Sequence, residues 1–353
     1  SSNVRFNPAN LGNMKTKRGF DFQLNRSSVF ERWSMPVRDS FGEFLTHADY
    51  VANEFSYYGI NAGFFISYNL PIIRTMSAGL HHGPLTHFTY HYFEEVRAPM
   101  SGIYEDEWRN NEIPTKDPFI GSHNLNIEGT PMLTSLGCGV QLDLLGDLEL
   151  NVGGAINLVQ SSELTDRVEV DTLYSDVTNL TTLPDLNTSA ELPTANFMTF
   201  STTLNLTPNI QLGFSWEDEA KLSTTIYNWS IDSTSGLFQY WDESSYIGSG
   251  LNYLKPEIKS LALSFISDLE NRISIDFELN QVLYNGHLNL KDSKQYKFGF
   301  EYLTQLGTPI RGGLIYKTAF VPAMKPVSMF TFGSGKSIGN LVIDYAGTYT
   351  FQS

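Results

Sequence analysis

Apolar and polar residues alternate along this chain with a period of two, the pattern that sends successive side chains to opposite faces of a β-strand. Between Leu148 and Leu158 one face reads Leu148, Leu150, Val152, Gly154, Ile156 and Leu158, and the other reads Glu149, Asn151, Gly153, Ala155 and Asn157. Phe20, Phe22 and Leu24 alternate with Asp21, Gln23 and Asn25, and Ile273, Ile275, Phe277 and Leu279 with Ser274, Asp276, Glu278 and Asn280. Tyr296, Phe298, Phe300 and Tyr302 alternate with Lys297, Gly299 and Glu301, and Leu341, Ile343, Tyr345, Tyr349 and Phe351 with Val342, Asp344, Ala346, Thr348 and Thr350. Soluble sandwiches and propellers alternate too. Two features favour a membrane barrel over them. Several segments run past the roughly five or six residues of a soluble strand, toward the roughly 9 to 11 that cross a bilayer at a tilt. The polar face also carries Glu149, Asp276, Glu278, Glu301, Arg311 and Lys317, charges that a hydrated lumen accepts and a dry core does not. The predicted fold is all-β: a transmembrane antiparallel up-and-down β-barrel with its apolar face toward lipid.

Strands are expected at 18–29, 57–68, 71–97, 130–143, 147–160, 196–217, 220–232, 256–267, 271–283, 295–305, 308–319, 326–334 and 339–352. Long outer connections then fall at 30–56, 98–129, 161–195, 233–255, 284–294 and 320–325. Short periplasmic ones fall at Asn69–Leu70, Leu144–Gly146, Asp218–Glu219, Asp268–Glu270, Leu306–Gly307 and Gly335–Ile338. Strict alternation of long and short is what an outer-membrane barrel requires. Single-chain barrels usually have an even strand number, so the odd count predicts either a closing strand after Ser353 or pairing by the 164–176 stretch.

Composition narrows the class. Only 17% of residues are charged while 13% are aromatic, a mixture unlike disordered chains. No window approaches 18 uninterrupted apolar residues, which rules out a transmembrane helix, and the start lacks a charged stretch followed by an apolar one, so a signal peptide is not expected within this chain. The net charge of −15 argues against nucleic acid as a partner and fits acidic outer loops. The single cysteine, Cys138, lies in a strand-like run; it excludes an internal disulfide, and packing is its expected role.

Gly83-Pro84 interrupts the run 71–97, marking a bulge or an opening in strand pairing, since proline donates nothing to a ladder and glycine weakens one. His81, His82, His87 and His91 surround it, with His87 and His91 on one strand face; a polar rim is expected rather than a metal site, which needs three or four converging ligands. Gly333-Ser334-Gly335-Lys336-Ser337 lacks the first glycine of a phosphate loop and reads as a turn. The acidic trios Glu105-Asp106-Glu107 and Glu217-Asp218-Glu219 lack calcium-loop spacing and read as solvated surface. In 98–129, Tyr104, Trp108 and Phe119 are candidates for an apolar surface at the barrel mouth, or for a loop folded on itself. No catalytic constellation can be singled out, and neither enzymatic activity nor a cofactor is expected.

Asn7-Pro8-Ala9, followed by a short linker and a first strand from Phe20, resembles the segment that ends the N-terminal hatch of FadL/TodX-type outer-membrane transport proteins. Gly299-Phe300-Glu301-Tyr302, Arg311-Gly312-Gly313-Leu314, a loop through Pro322 and Pro326, Phe332-Gly333 and Asp344-Tyr345-Ala346 are similar to that family's final strands. Tyr90, Tyr92 and Glu94-Glu95 look closer to its PorV-like branch, which serves type IX secretion. The resemblance implies about 14 strands, a hatch remnant at 1–17 and a barrel over 18–353. It further implies passive uptake of hydrophobic, long-chain fatty-acid-like molecules, with lateral exit at a strand-three kink formed by Gly83, Pro84 and His82. Only six residues precede Asn7, so the ligand-binding plug is expected to be absent. Arg311 and Lys317 are candidates to attract an acid headgroup. The alternatives are a PorV-like barrel that binds a protein partner in an envelope complex, and a structural barrel. Outer-membrane lipids, and a hydrophobic ligand or detergent in the lumen, are the other implied partners.

Overall fold

A computed structural model describes residues 2–14, 16–38, 41–70, 74–97, 119–144, 148–172, 186–226, 230–231, 238–239, 249–267, 272–285, 290–321 and 325–352. A one-turn helix α1, Ser2–Phe6, and a 3-10 turn at Pro8–Leu11 precede the strands. β1 (Arg18–Arg38) and β2 (Phe44–Tyr68) form a long hairpin. β3 (Thr75–Pro84) and β4 (Phe88–Arg97) are two halves of one outgoing path, and β5 (Phe119–Gly129) and β6 (Met132–Asp143) are the returning one. β7 (Glu149–Val159) continues into β8 (Ser162–Thr172), and β9 (Leu186–Leu192) returns into β10 (Ala195–Thr207). β11 (Ile210–Glu217) leads to β12 (Ala220–Ile226), the two-residue pair β13 (Ser230–Ile231) and β14 (Phe238–Gln239), then β15 (Ser249–Lys255) and β16 (Glu257–Ile266). β17 (Ile273–Leu283), β18 (Ser293–Leu303), β19 (Pro309–Lys317), β20 (Val327–Ile338) and β21 (Leu341–Gln352) complete the wall as a meander.

The wall is the antiparallel order β1-β2-β3-β6-β7-β10-β11-β16-β17-β18-β19-β20-β21, and β1 and β21 are each paired on one edge only among the described residues. A second tier, β4-β5-β8-β9, extends it at the loop end. The two tiers meet at a crease, and proline accounts for much of it. Pro84, Pro131, Pro193 and Pro256 lie at or beside the breaks β3/β4, β5/β6, β9/β10 and β15/β16, where a missing N–H ends ladder pairing.

Facing follows the predicted alternation. Phe20, Phe22, Leu24, Ile156, Phe277, Phe298, Leu314, Tyr345 and Tyr349 point outward and are exposed, an apolar exterior that only a bilayer covers. Their neighbours Asn151, Asn157, Thr199 and Ser201 point inward and are buried. Cys138 faces outward and is exposed, so it does not pack in a core, contrary to expectation.

The structure corrects several predicted boundaries. The expected outer loops 30–56, 98–129, 161–195 and 233–255 are largely strand where described, because the hairpins continue beyond the expected strand ends. Of the stretch 164–176, the described residues 164–172 pair as part of β8, in the second tier rather than as another wall strand. The single strand expected at 196–217 is two, β10 and β11, turning at Pro208-Asn209, where Thr207 Oγ1 accepts the N–H groups of Asn209 and Ile210 at 3.2 and 3.1 Å. Alternation carries on through that tight turn and so conceals it. Asp218-Glu219 is therefore not a wall turn. Gly333–Ser337 lies inside β20 and not in a turn; the reversal falls at Gly339-Asn340, with Gly339 at φ +60°.

Candidate functional site

Three features meet inside the barrel at the crease. The first is a gap in the wall. β2 pairs with β3 from Ala62 to Tyr68 and with β4 only at Val51 and Ala52, so Asn53–Asn61 have no ladder partner on that edge among the described residues. At the usual rise per residue this is an edge of about 30 Å. Side chains bridge it. The Tyr57 and His87 rings lie 4.4 Å apart and the Phe55 and His91 rings 5.9 Å. A Cβ built on Gly59 would sit 3.3 Å from Pro84 Cγ, and one on Gly83 only 2.0 Å from Asn61 Oδ1. Glycine at both positions permits the close approach.

The second is a plug. Val4, Pro8, Ala9 and Leu11 are buried against the inner wall of β3, β6, β7 and β10. Their floor is Gly79, Gly137, Gly139 and Gly153, with Ala155 and Ser201 beside them. A Cβ on Gly139 would lie 2.4 Å from Pro8 O, and one on Gly153 2.3 Å from Pro8 C. The Ala9 N–H donates to Ser201 Oγ at 2.7 Å, and Arg5 Nη1 donates to the Pro84 carbonyl at 3.3 Å, tying the plug to the edge of the gap. The segment expected as a hatch remnant at 1–17 thus lies against the inner wall, in the lumen. Sequence reading found Asn7-Pro8-Ala9 but missed the glycine floor; inward-facing glycines on three paired strands were the available signal.

The third is an apolar cluster of Leu133, Val159, Phe197, Ala220 and Leu222, bordered by Leu85 and Ala195. Among the described residues β12 pairs only with β15 and not with the wall. Lys255, at the foot of that hairpin, is buried; its Nζ donates to Glu217 Oε1 at 2.8 Å and to the Asp218 and Pro256 carbonyls, and lies 4.4 Å from the Phe197 ring centre. Glu217 is thus half of a buried ion pair and not the solvated residue expected. Replacing Lys255 by Met strands a buried carboxylate, an expected loss of about 3–5 kcal/mol in denaturant unfolding of the refolded barrel. Adding Glu217→Gln is expected to recover most of that loss.

The remaining predicted residues lie elsewhere. Glu149, at the turn end, accepts bonds from Gln141 and Asn205 at 3.1 and 3.0 Å and pairs with Arg74, on the border of a polar cavity of about 620 Å³. On the opposite wall Lys297 pairs with Glu278 at 2.9 Å, and Asp276 faces Gly299 across the ladder. Arg311 donates to Glu301 at 2.6 Å and to Asp344 at 2.7 Å, so two carboxylates balance its charge. Lys317 Nζ stands 5.0 Å from the Phe320 ring centre. The histidines do not converge. His81 is buried and inward, His82 bonds Thr134 Oγ1 at 3.0 Å, His87 bonds Thr130 Oγ1 at 3.1 Å, and His91 lies 3.6 Å from Glu128. Among the described residues no group of three or more metal-ligating side chains forms. Tyr104 and Trp108 lie outside the described residues, and Phe119 begins β5.

No protein-family model and no curated protein matches this chain. Solved structures do. A Pseudomonas aeruginosa FadL homologue superposes with a TM-score of 0.60 at 14% identity, over 99% of this chain and 85% of that one. Two mutant forms of the TodX monoaromatic hydrocarbon channel each give a TM-score of 0.51 at 14% identity, over 99% and 98% of this chain and 94% and 87% of theirs. From the strand order, the apolar exterior and these likenesses, the chain has the FadL/TodX-type β-barrel fold.

Proposed function

We propose that this chain is a passive outer-membrane conduit for hydrophobic small molecules, and not an enzyme, in which cargo passes from the lumen sideways into the bilayer between β2 and β4. The observation that carries the reading is the edge Asn53–Asn61, which has no ladder partner on its β3/β4 side among the described residues and lies beside the proline-marked break between β3 and β4. Backbone donors and acceptors without ladder partners are costly where no water reaches them, so an unpaired edge beside a break in the neighbouring strand is a place where cargo can cross. The structural neighbours support it by name: one is a FadL homologue, and the TodX channels are described as carrying monoaromatic hydrocarbons. Fatty-acid-like cargo is one member of the class. Purified protein in liposomes is expected to speed entry of toluene and of a long-chain fatty acid over empty liposomes, and to leave glucose entry unchanged. Equal rates with and without protein would defeat the reading.

A second reading is favoured by one observation, the occupied lumen: a non-transporting, PorV-like barrel that binds a protein in an envelope complex. It requires that a stoichiometric partner co-purify from native outer membranes and that the liposome assay be silent.

A further inference from the structure

Leu133, Val159 and Phe197 form an apolar shelf on the inner face of β6, β7 and β10, where the neighbouring inward positions are Ser135, Asn157 and Thr199. These polar neighbours satisfy one another: Ser135 Oγ donates to Asn157 Oδ1 at 2.6 Å, and Asn157 Nδ2 to Thr199 Oγ1 at 2.8 Å. The shelf is therefore an apolar island in a polar lumen. It lies just inside the gap, since Leu85, the residue after Pro84, packs against it.

What covers the shelf comes from the wall's own chain. Asp218 makes a ladder-like bond to Met198 O at 2.9 Å, after which β12 leaves the wall and, among the described residues, pairs with β15 alone. Ala220 and Leu222 then enter the cluster, with Leu222 0% exposed. Leu133 belongs to β6, which is separated from β11 by β10 and β7. The hairpin must therefore cross the lumen face of those two strands. Its foot is pinned by the Lys255–Glu217 pair, while Lys221 on the opposite side of β12 is exposed.

We propose that the β12–β15 hairpin is a built-in lid, and that Leu222 occupies the place on the Leu133-Val159-Phe197 shelf that an uncharged hydrocarbon takes on its way to the gap. The proposal rests on the conduit reading above and names its cargo more narrowly. Neutrality rests on the ion pairing: Lys255, which stands beside the shelf, is already balanced by Glu217 and so offers a carboxylate headgroup no unmatched charge. A lid that is mostly shut lowers apparent affinity by the fraction of time it is open. Weakening its grip must then speed passage.

The test uses the full chain in liposomes, with Cys138→Ala as background and toluene and octanoate as probes. Leu222→Ala is expected to raise toluene entry roughly tenfold, by raising the open fraction. Leu222→Cys with Val159→Cys, oxidised and checked by thiol titration, is expected to abolish toluene entry, and reduction is expected to restore it. Toluene entry unchanged by a formed disulfide, or lowered by Leu222→Ala in a barrel that keeps its heat-modifiable migration, overturns the lid. Octanoate entering as fast as toluene overturns the neutral-cargo assignment. If the disulfide does not form, the Leu222→Ala result decides. A wild-type protein that admits toluene while ignoring both manipulations defeats only the lid; one that admits neither probe defeats the conduit reading with it.

Discussion

Gly153→Leu is expected to expel the N-terminal plug from an otherwise intact barrel. The added Cβ would sit 2.3 Å from Pro8 C and 2.4 Å from Ala9 N, backbone atoms that have no rotamer to retreat into. Overpacking of this kind costs about 1–3 kcal/mol where neighbours can shift, and here the plug is the part that can shift. It is held by non-covalent contacts, among them apolar contacts of Val4 and Leu11, the Ala9–Ser201 hydrogen bond and the Arg5–Pro84 contact. Residues 2–14 should become open to protease, and conductance across a planar bilayer should rise well above that of the unmodified barrel. Gly154→Leu is the control. Its Cβ points outward, with its nearest neighbour at 3.7 Å, and neither readout should move. A Gly153→Leu barrel whose N-terminus remains protected would show that the glycine floor does not set the position of the plug.

Sealing the gap between β2 and β4 is expected to have the largest effect on passage of cargo. Two independent routes lead there. Gly59→Trp forces an indole against Pro84 and His87, where even a Cβ would lie 3.3 and 3.4 Å from their side chains, and so obstructs passage between the strands. Gly83→Val with Pro84→Val restores ladder donors and strand propensity, and Asn61→Gly removes the side chain that a Cβ at 83 would strike. Each is expected to slow hydrocarbon entry into liposomes roughly tenfold or more, equivalent to at least about 1.4 kcal/mol on the barrier. Axial conductance of a plug-expelled barrel should be unaffected by either change. If both variants carry hydrocarbon at the unmodified rate, cargo leaves by another path.

The fold was legible in the sequence because a barrel has two solvents, and each strand records both. The alternation at Leu148–Leu158 assigned inward and outward faces that the structure reproduces. Gly83-Pro84 marked the interruption between β3 and β4, because loss of a donor and of a side chain acts locally wherever it falls. What stayed hidden depends on distant partners. Nothing in Gly79, Gly137, Gly139 and Gly153 separately says that they share a floor; only the register of three strands brings them together. The inward turn of β12 was invisible for the same reason. Leu222 reads as one more apolar strand position until Leu133, two strands beyond its neighbour β10, supplies the contact. The ion pairs of Arg311 were equally hidden, because its carboxylate partners, Glu301 and Asp344, come from β18 and β21 and balance a charge that looked free in the sequence. The crease was the missed opportunity: Pro84, Pro131, Pro193 and Pro256 were visible as breakers, but their alignment across the wall appears only once the strands are paired.

The central claim is sideways passage between β2 and β4, and locating a cargo atom tests it most directly. A structure of the barrel soaked with a brominated hydrocarbon, with the bromine placed by its anomalous signal, separates the two routes. Bromine beside Gly59, Pro84 and His87, between the strands, is the expected result. Bromine confined to the barrel axis, running to the polar cavity beside Arg74 and Glu149 with none in the gap, would contradict the account.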